Sequence, residues 1–211
     1  AIIITPSCSE DFLETESTSD VDQSIMFQNT KNALMAINGI HRVMYEKGDY
    51  APKMGYQYYM LYMDFLGEDM VYTRSNAQFR TETDWTRHRL PSNQYPRHLY
   101  EFMYKIIVNA NLVLENIDDA EGTQVERDYI KGQAIFYGQR YDRAGNNNTD
   151  GVVLKLVSIS EHQARSSVED TYTSINEDLD EAIRLLSNVT FERTTKMHIN
   201  VHVARAIKAR V

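Results

Sequence analysis

The sequence predicts a mostly α-helical fold, and three features lead to that class. Apolar residues recur at steps of three and four along several stretches, which places them on one stripe of a helix. Ser167 and Asn200, residue types that favour helix starts, stand at the heads of two of these stretches. Only four prolines interrupt 211 residues.

Taken in order, the first helix begins at Asn29, carries Ala33, Leu34, Ile37, Ile40 and Met44 on its stripe, and ends at Gly48. Residues 50–95 form a long irregular aromatic region, within which Tyr56–Phe65 can make a short helix against the core. The strongest stretch is Leu99–Ile117. Its apolar set is Leu99, Phe102, Met103, Ile106, Ile107, Ala110, Val113, Leu114 and Ile117. Pro96 stands just upstream, where a helix can begin, and Asp118-Asp119 closes the run. Glu101, Lys105, Asn109, Asn111 and Glu115 occupy the opposite face. Burial of each large apolar side chain is worth about 1.5–3 kcal/mol, less the cost of ordering it. A helix with this stripe is therefore a core element and needs at least two others to cover it.

Beyond it, Thr123–Phe136 is expected to be helical with Val125, Tyr129, Ile130, Ala134 and Phe136 inward. Gly138, Gly145 and three consecutive asparagines then break the pattern over residues 137–150, and Val152–Val157 is a short apolar run suited to an extended crossing. Ser167-Val-Glu-Asp170 resembles a capping box and opens a helix striped by Val168, Tyr172, Ile175, Leu179, Ala182, Ile183 and Leu186. Asn200 caps a last helix that is expected still to be running at Val211, with Val203, Ile207 and Val211 on a face that wants a following helix. One-faced helices joined in pairs by loops are similar in architecture to tetratricopeptide-like helix pairs, without the strict repeat consensus.

The totals narrow the function. A net charge of -8 argues against nucleic acid or an anionic membrane as the main ligand. Fourteen tyrosines suit a surface that grips sugars or peptides, since each offers a flat apolar face and a hydroxyl. No stretch reaches the about 18 apolar residues of a spanning helix. Residues 1–8, AIIITPSC, look like the tail of a secretory signal ending in a lipoprotein cleavage site, with Cys8 as the lipidated residue. Residues 9–28, acidic and rich in Ser and Thr, read as a tether, and 29–211 as the folded helical domain. Within the tether, Asp20, Asp22 and Ser24 lack the Gly and closing Glu of a calcium loop.

The chemistry-bearing residues favour binding over catalysis. Trp85, the one tryptophan, stands among Asp84, Arg87 and His88 in a long loop, and long loops in compact domains are usually functional or disordered. A ring that stacks on a sugar face beside groups that bind hydroxyls is a sugar-binding arrangement, with plugging of the core edge as the alternative. Trp85, Arg87 and Tyr95 are the loop candidates for stacking and polar grip. Glu68, Asp69, Glu82 and Asp84 could in principle pair for glycoside hydrolysis, but adjacent loop acids are more often solvated or capping. His198 and His202 are four apart, yet Ile199 stands where a metalloprotease needs Glu, so a surface pair is expected. No GxSxG elbow occurs. No metal and no cofactor is implied.

Several segments resemble the SusD/RagB family of outer-membrane nutrient-binding lipoproteins. They are Cys8-Ser-Glu-Asp-Phe-Leu13, Ala33-Leu-Met-Ala-Ile-Asn-Gly39, Leu66-Gly-Glu-Asp-Met70 and Tyr104-Lys-Ile-Ile-Val-Asn-Ala-Asn-Leu-Val-Leu-Glu115. Arg165-Ser-Ser-Val-Glu-Asp-Thr-Tyr172, Asp178-Leu-Asp-Glu-Ala-Ile183 and Asn200–Val211 extend the likeness. The resemblance implies a SusD-like helical fold and a surface lipoprotein anchored in the outer membrane. Such a protein would work with a TonB-dependent SusC-like transporter and hold an oligosaccharide or peptide nutrient without transforming it. Asp69 joins the ligand-binding candidates through the Gly-Glu-Asp segment. A helical scaffold that docks the transporter and touches no nutrient is the competing reading.

Overall fold

The computed structural model describes residues 23–45, 55–67, 70, 80–86, 90, 92–137, 153–154 and 164–211. The helices among them are α1 (Gln23–Met26), α2 (Thr30–Tyr45), α3 (Tyr56–Leu66), α4 (Arg80–Thr83), α5 (Gln94–Asn116), α6 (Gln124–Tyr137), α7 (Val168–Ser187) and α8 (Val201–Lys208). No strand occurs among the described residues. Cys8, Gly48, Asp69, Arg87, the expected loop at 137–150 beyond Tyr137 and most of Val152–Val157 lie outside them.

α5 is a core helix covered by two others, as its stripe requires. Ile106, Ile107, Ala110, Val113 and Ile117 are buried, with Leu99, Phe102, Met103 and Leu114 half-buried. α2 covers one side with Ala33, Ile37 and Ile40, and α6 covers the other with Tyr129, Ile130 and Ala134. Successive helices pair from α5 to α8, each packing on the one before. α5 begins earlier than Pro96 suggested, at Gln94. Asn93 caps it, its side-chain oxygen accepting from the Tyr95 N–H at 3.0 Å. Pro96 falls in the first turn, where the missing N–H would have had no helical partner. Asn111, expected outside, is buried. The folded part also takes in α1 and Phe27, whose ring is in the core, a few residues ahead of Asn29.

Local side-chain signals account for several helix starts. Ser167 Oγ accepts from the Asp170 N–H at 3.0 Å, and Thr123 and Glu126 cap each other reciprocally. Asn200 Oδ1 accepts from the Val203 N–H at 3.1 Å. α8 stops at Lys208 instead of running through Val211. Its last N–H groups, of Arg210 and Val211, turn back to the Ile207 and Lys208 carbonyls in the tighter three-residue pattern of fraying ends. Between α5 and α6 the chain bridges back to α2: Thr30 N–H donates to the Glu121 carbonyl and Glu121 N–H to the Gln28 carbonyl. Gly122 follows with φ of +150°, and a Cβ there would sit 2.4 Å from Thr30 Oγ1, so only glycine fits.

α6 and α7 come close together at Gly132 of α6. A Cβ there would lie 2.8 Å from Leu186 Cγ on α7. Ala normally gains about 1 kcal/mol over Gly inside a helix. Here overpacking, typically about 1–3 kcal/mol, opposes that gain. Gly132→Ala is expected to lower the urea midpoint, and Gly132→Val to lower it further. A raised midpoint for the alanine variant would mean that α6 and α7 have room to spare.

Candidate functional site

The described aromatic residues of α3 pack as a layer against the N-terminal end of α5. α3 turns Tyr58, Tyr59 and Tyr62 inward. Tyr95, in the first turn of α5, stacks on two of them, with ring centroids 6.3 Å from Tyr58 and 5.4 Å from Tyr62. Tyr59 meets Phe102 at 5.1 Å. Much of the tyrosine wealth is therefore packing. Burial pushes the Tyr62 hydroxyl up to about 12, reinforced by the nearby Glu82 carboxylate and Tyr95, and pushes Tyr59 up to about 12 with help from Glu101. Tyr58 is raised further by burial and by its hydrogen bond with Tyr95. All three phenols stay protonated and able to donate.

Beneath this layer lies Glu82, only 1% exposed, on the single turn of α4. It was expected among loop acids that are solvated or capping, and it is buried against the cap residue of α5. Thr81 Oγ1 donates to its Oε2 at 2.8 Å, and Asn93 Nδ2 donates to its Oε1 at 3.3 Å. The same Asn93 caps α5, so Glu82 fixes α4 against the turn that presents Tyr95. Glu82 and Asp84 do not form a catalytic carboxylate pair: Glu82 is sealed, and Asp84 pairs with Arg80 at 3.4 Å on the surface.

Trp85 leaves α4 on the outer side of that anchor. Its indole is 53% exposed, so it does not plug the core. Its backbone is in the left-handed region, φ +54°, the one non-glycine residue so placed among those described. The hydrogen bonds explain why. Trp85 N–H donates to the Glu82 carbonyl at 3.0 Å, and Thr86 N–H to the Thr81 carbonyl at 3.0 Å. This is the Schellman ending of a helix, whose left-handed position is normally glycine. A tryptophan there costs about 1–2 kcal/mol relative to glycine. Strained residues of this kind cluster at ligand-gripping sites. Trp85 and Tyr95 are thus brought to one corner through Glu82 and Asn93; Asp69 and Arg87 lie outside the described residues.

His198, expected as half of a surface pair, is buried at 2% exposure, while His202 is exposed on α8. His198 precedes α8 and reaches back across the core, where its Nε2–H donates to Asn38 Oδ1 at 2.8 Å and its ring lies 5.2 Å from that of His41.

Known proteins confirm the fold and place the chain. The family model described as SusD-like, "Starch-binding associating with outer membrane", matches residues 11–211. The chain belongs to the SusD-like family. A SusD-like carbohydrate binding protein from Bacteroides vulgatus ATCC 8482 has a similar solved structure, with a TM-score of 0.77 and 26% identity over 87% of this chain. The match spans 41% of that SusD-like protein's chain. No curated protein matches. No helix among the described residues is long and apolar enough to cross a membrane.

Proposed function

We propose that this SusD-like chain belongs to a surface glycan-binding lipoprotein that serves nutrient uptake and performs no chemistry. Cys8 carries the lipid, and a TonB-dependent SusC-like transporter is the partner that takes up what it holds. The ligand face includes the α3–α4–α5 corner, where Trp85 stacks on a sugar ring and Tyr95 supplies polar grip; Asp69 and Arg87 remain candidates for further polar grip. The observation that carries this is Trp85 itself: a half-exposed indole held in a conformation that glycine would adopt more easily. A side chain with no role at that position would be expected to yield to glycine.

That argument supplies its own control. Trp85→Gly removes the ring and relieves the backbone, so the variant is expected to unfold at an equal or higher urea concentration, by up to about 1 kcal/mol in stability. Retention on immobilised starch and other polysaccharides is expected to be lost in the same variant. Unchanged retention would support the helical scaffold that docks the transporter without touching nutrient. Release of reducing ends from any of these polysaccharides by the wild-type chain would contradict the non-enzymatic reading.

A further inference from the structure

The arm that follows α7 is held more lightly than the helices before it. From Asn188 to Val211 only His198, Ile199 and Ala204 are buried, whereas α7 alone buries seven residues. Apolar burial therefore gives this arm little grip, and such regions can open without the whole domain unfolding. Polar bonds supply the rest of the hold. The Tyr137 hydroxyl donates to the Met197 carbonyl at 3.1 Å, and Gln133 pairs with both polar groups of the Ile199 backbone. Arg193 Nη1 donates to the His198 carbonyl at 2.9 Å, which folds the arm on itself. Further on, Lys208 pairs with Asp180 of α7.

His198 is the one titratable side chain among the three buried anchors. Its ring faces that of His41 on α2 at 5.2 Å, so two imidazoles meet at the joint between the arm and the helices beneath it. Each uses Nε2–H as a donor, His198 to Asn38 Oδ1 and His41 to the Tyr137 hydroxyl that holds Met197. Each Nδ1 is buried and has no hydrogen-bond partner among the described residues. The groups that meet the rings are uncharged: Tyr129 and Tyr137 from α6 and Asn38 from α2. Asp128, the buried carboxylate of α6, is bonded to Gln124. Arg193 reaches the His198 carbonyl, while Arg42 on α2, Glu192 and Lys196 on the arm and His202 on α8 are exposed. A second proton on either ring would thus find no acceptor, and a proton on both would bury two cations side by side. Lifting the arm carries His198 away and uncovers His41, which gives both Nδ1 atoms water.

We propose that the His41–His198 pair is an acid-operated joint: protonation of the imidazoles releases residues 193–208 while α2, α5 and α6 stay packed. His41 alone, at about 4 in the closed joint and 6.5 in water, raises the open fraction about twentyfold between pH 7 and pH 5. His198, lowered in the same direction by burial, adds to this. Asp178 on α7 has its pKa raised by burial and so tightens the fold over the same interval, which leaves the histidines as the source of any loosening. Hydrogen exchange of the chain at pH 7 and pH 5, corrected for intrinsic rates and read on fragments over 193–208 and 99–117, tests the joint. Protection over 193–208 is expected to fall at least about tenfold, and to be lost while 99–117 is still protected. His41→Gln removes one of the two titrations and is expected to shrink that fall severalfold. A fall below about threefold in the wild-type chain, or one undiminished in the variant, would overturn the proposal. So would loss of protection in both fragments together, which marks unfolding of the whole domain.

Discussion

Gln133→Leu is expected to be among the most destabilising single changes in the domain, costing about 2–6 kcal/mol. Gln133 sits in mid-α6, fully buried, and its amide is matched on both sides to one backbone unit. Its Nε2 donates to the Ile199 carbonyl at 2.6 Å, and its Oε1 accepts from the Ile199 N–H at 2.6 Å. Ile199 is itself 4% exposed, so water cannot replace either bond. Leucine fills similar volume but strands a buried donor and a buried acceptor, each at about 1–3 kcal/mol. Against a typical total stability of about 5–15 kcal/mol, this is a large fraction. Urea unfolding followed by circular dichroism measures it. Because the two bonds hold the approach to α8, proteolysis within 189–197 is expected to accelerate as well. A change below about 0.5 kcal/mol, the range of surface substitutions, would mean that α8 is held by its apolar face alone.

The second large effect depends on pH. His41 on α2 and His198 ahead of α8 face each other in the core beside Tyr137 and Tyr129. Tyr137 hydroxyl donates to the Met197 carbonyl at 3.1 Å, and the His41 Nε2–H then donates to Tyr137 at 2.5 Å. His198 uses its Nε2–H on Asn38. Both Nδ1 atoms are buried and have no hydrogen-bond partner among the described residues. A proton on either would meet no acceptor and, on one ring, would repel the other. Burial, then His198, lowers the His41 pKa from 6.5 to about 4, and burial lowers that of His198. The unfolded chain therefore takes the proton first. The contribution of these neutral rings is full above pH 6.5 and falls as the pH drops towards 4, by about 3 kcal/mol for His41.

Asp178 on α7 acts oppositely in the same interval. Burial, then Glu177, raises its pKa from 3.8 to about 6, so the folded chain holds this proton more tightly and gains stability as the pH falls through that range. The histidine effect is therefore read as a difference. His41→Gln retains a donor for Tyr137 and removes the titration, so the stability advantage of wild type over this variant is expected to shrink steadily from pH 6.5 to 4. Asp178 cancels in that subtraction. A constant difference across the interval would show that His41 is not the group that titrates. Asp178→Asn should correspondingly stabilise the domain at pH 7 and lose that gain near pH 4.

The sequence was legible where physics is local. Stripes at three- and four-residue steps located α2, α5, α6 and α7, and the short polar side chains of Ser167 and Asn200 located two helix starts. It was less legible where partners are far apart along the chain. Gln133 meets Ile199 66 positions away and His198 meets Asn38 160 positions away, and no window-based pattern joins them. Those long-range bonds turned an expected surface histidine into a core residue and gave a polar mid-helix residue a structural task. Glu82 shows the same effect, since its burial depends on Asn93 and on the tyrosines of α3. At the candidate site the single tryptophan was an open signal, but its left-handed backbone was not, because that position advertises itself only when glycine occupies it.

The most direct test of glycan recognition uses the fact that Trp85 is the chain's one tryptophan, so its fluorescence reports on the proposed stacking surface with no other indole present. Maltoheptaose, followed by other oligosaccharides, would be titrated while emission and iodide quenching are recorded. Stacking on Trp85 predicts a saturable blue shift and protection from iodide, at concentrations that match calorimetric binding. Calorimetric binding of an oligosaccharide with the indole as exposed and as quenchable as before would contradict the account.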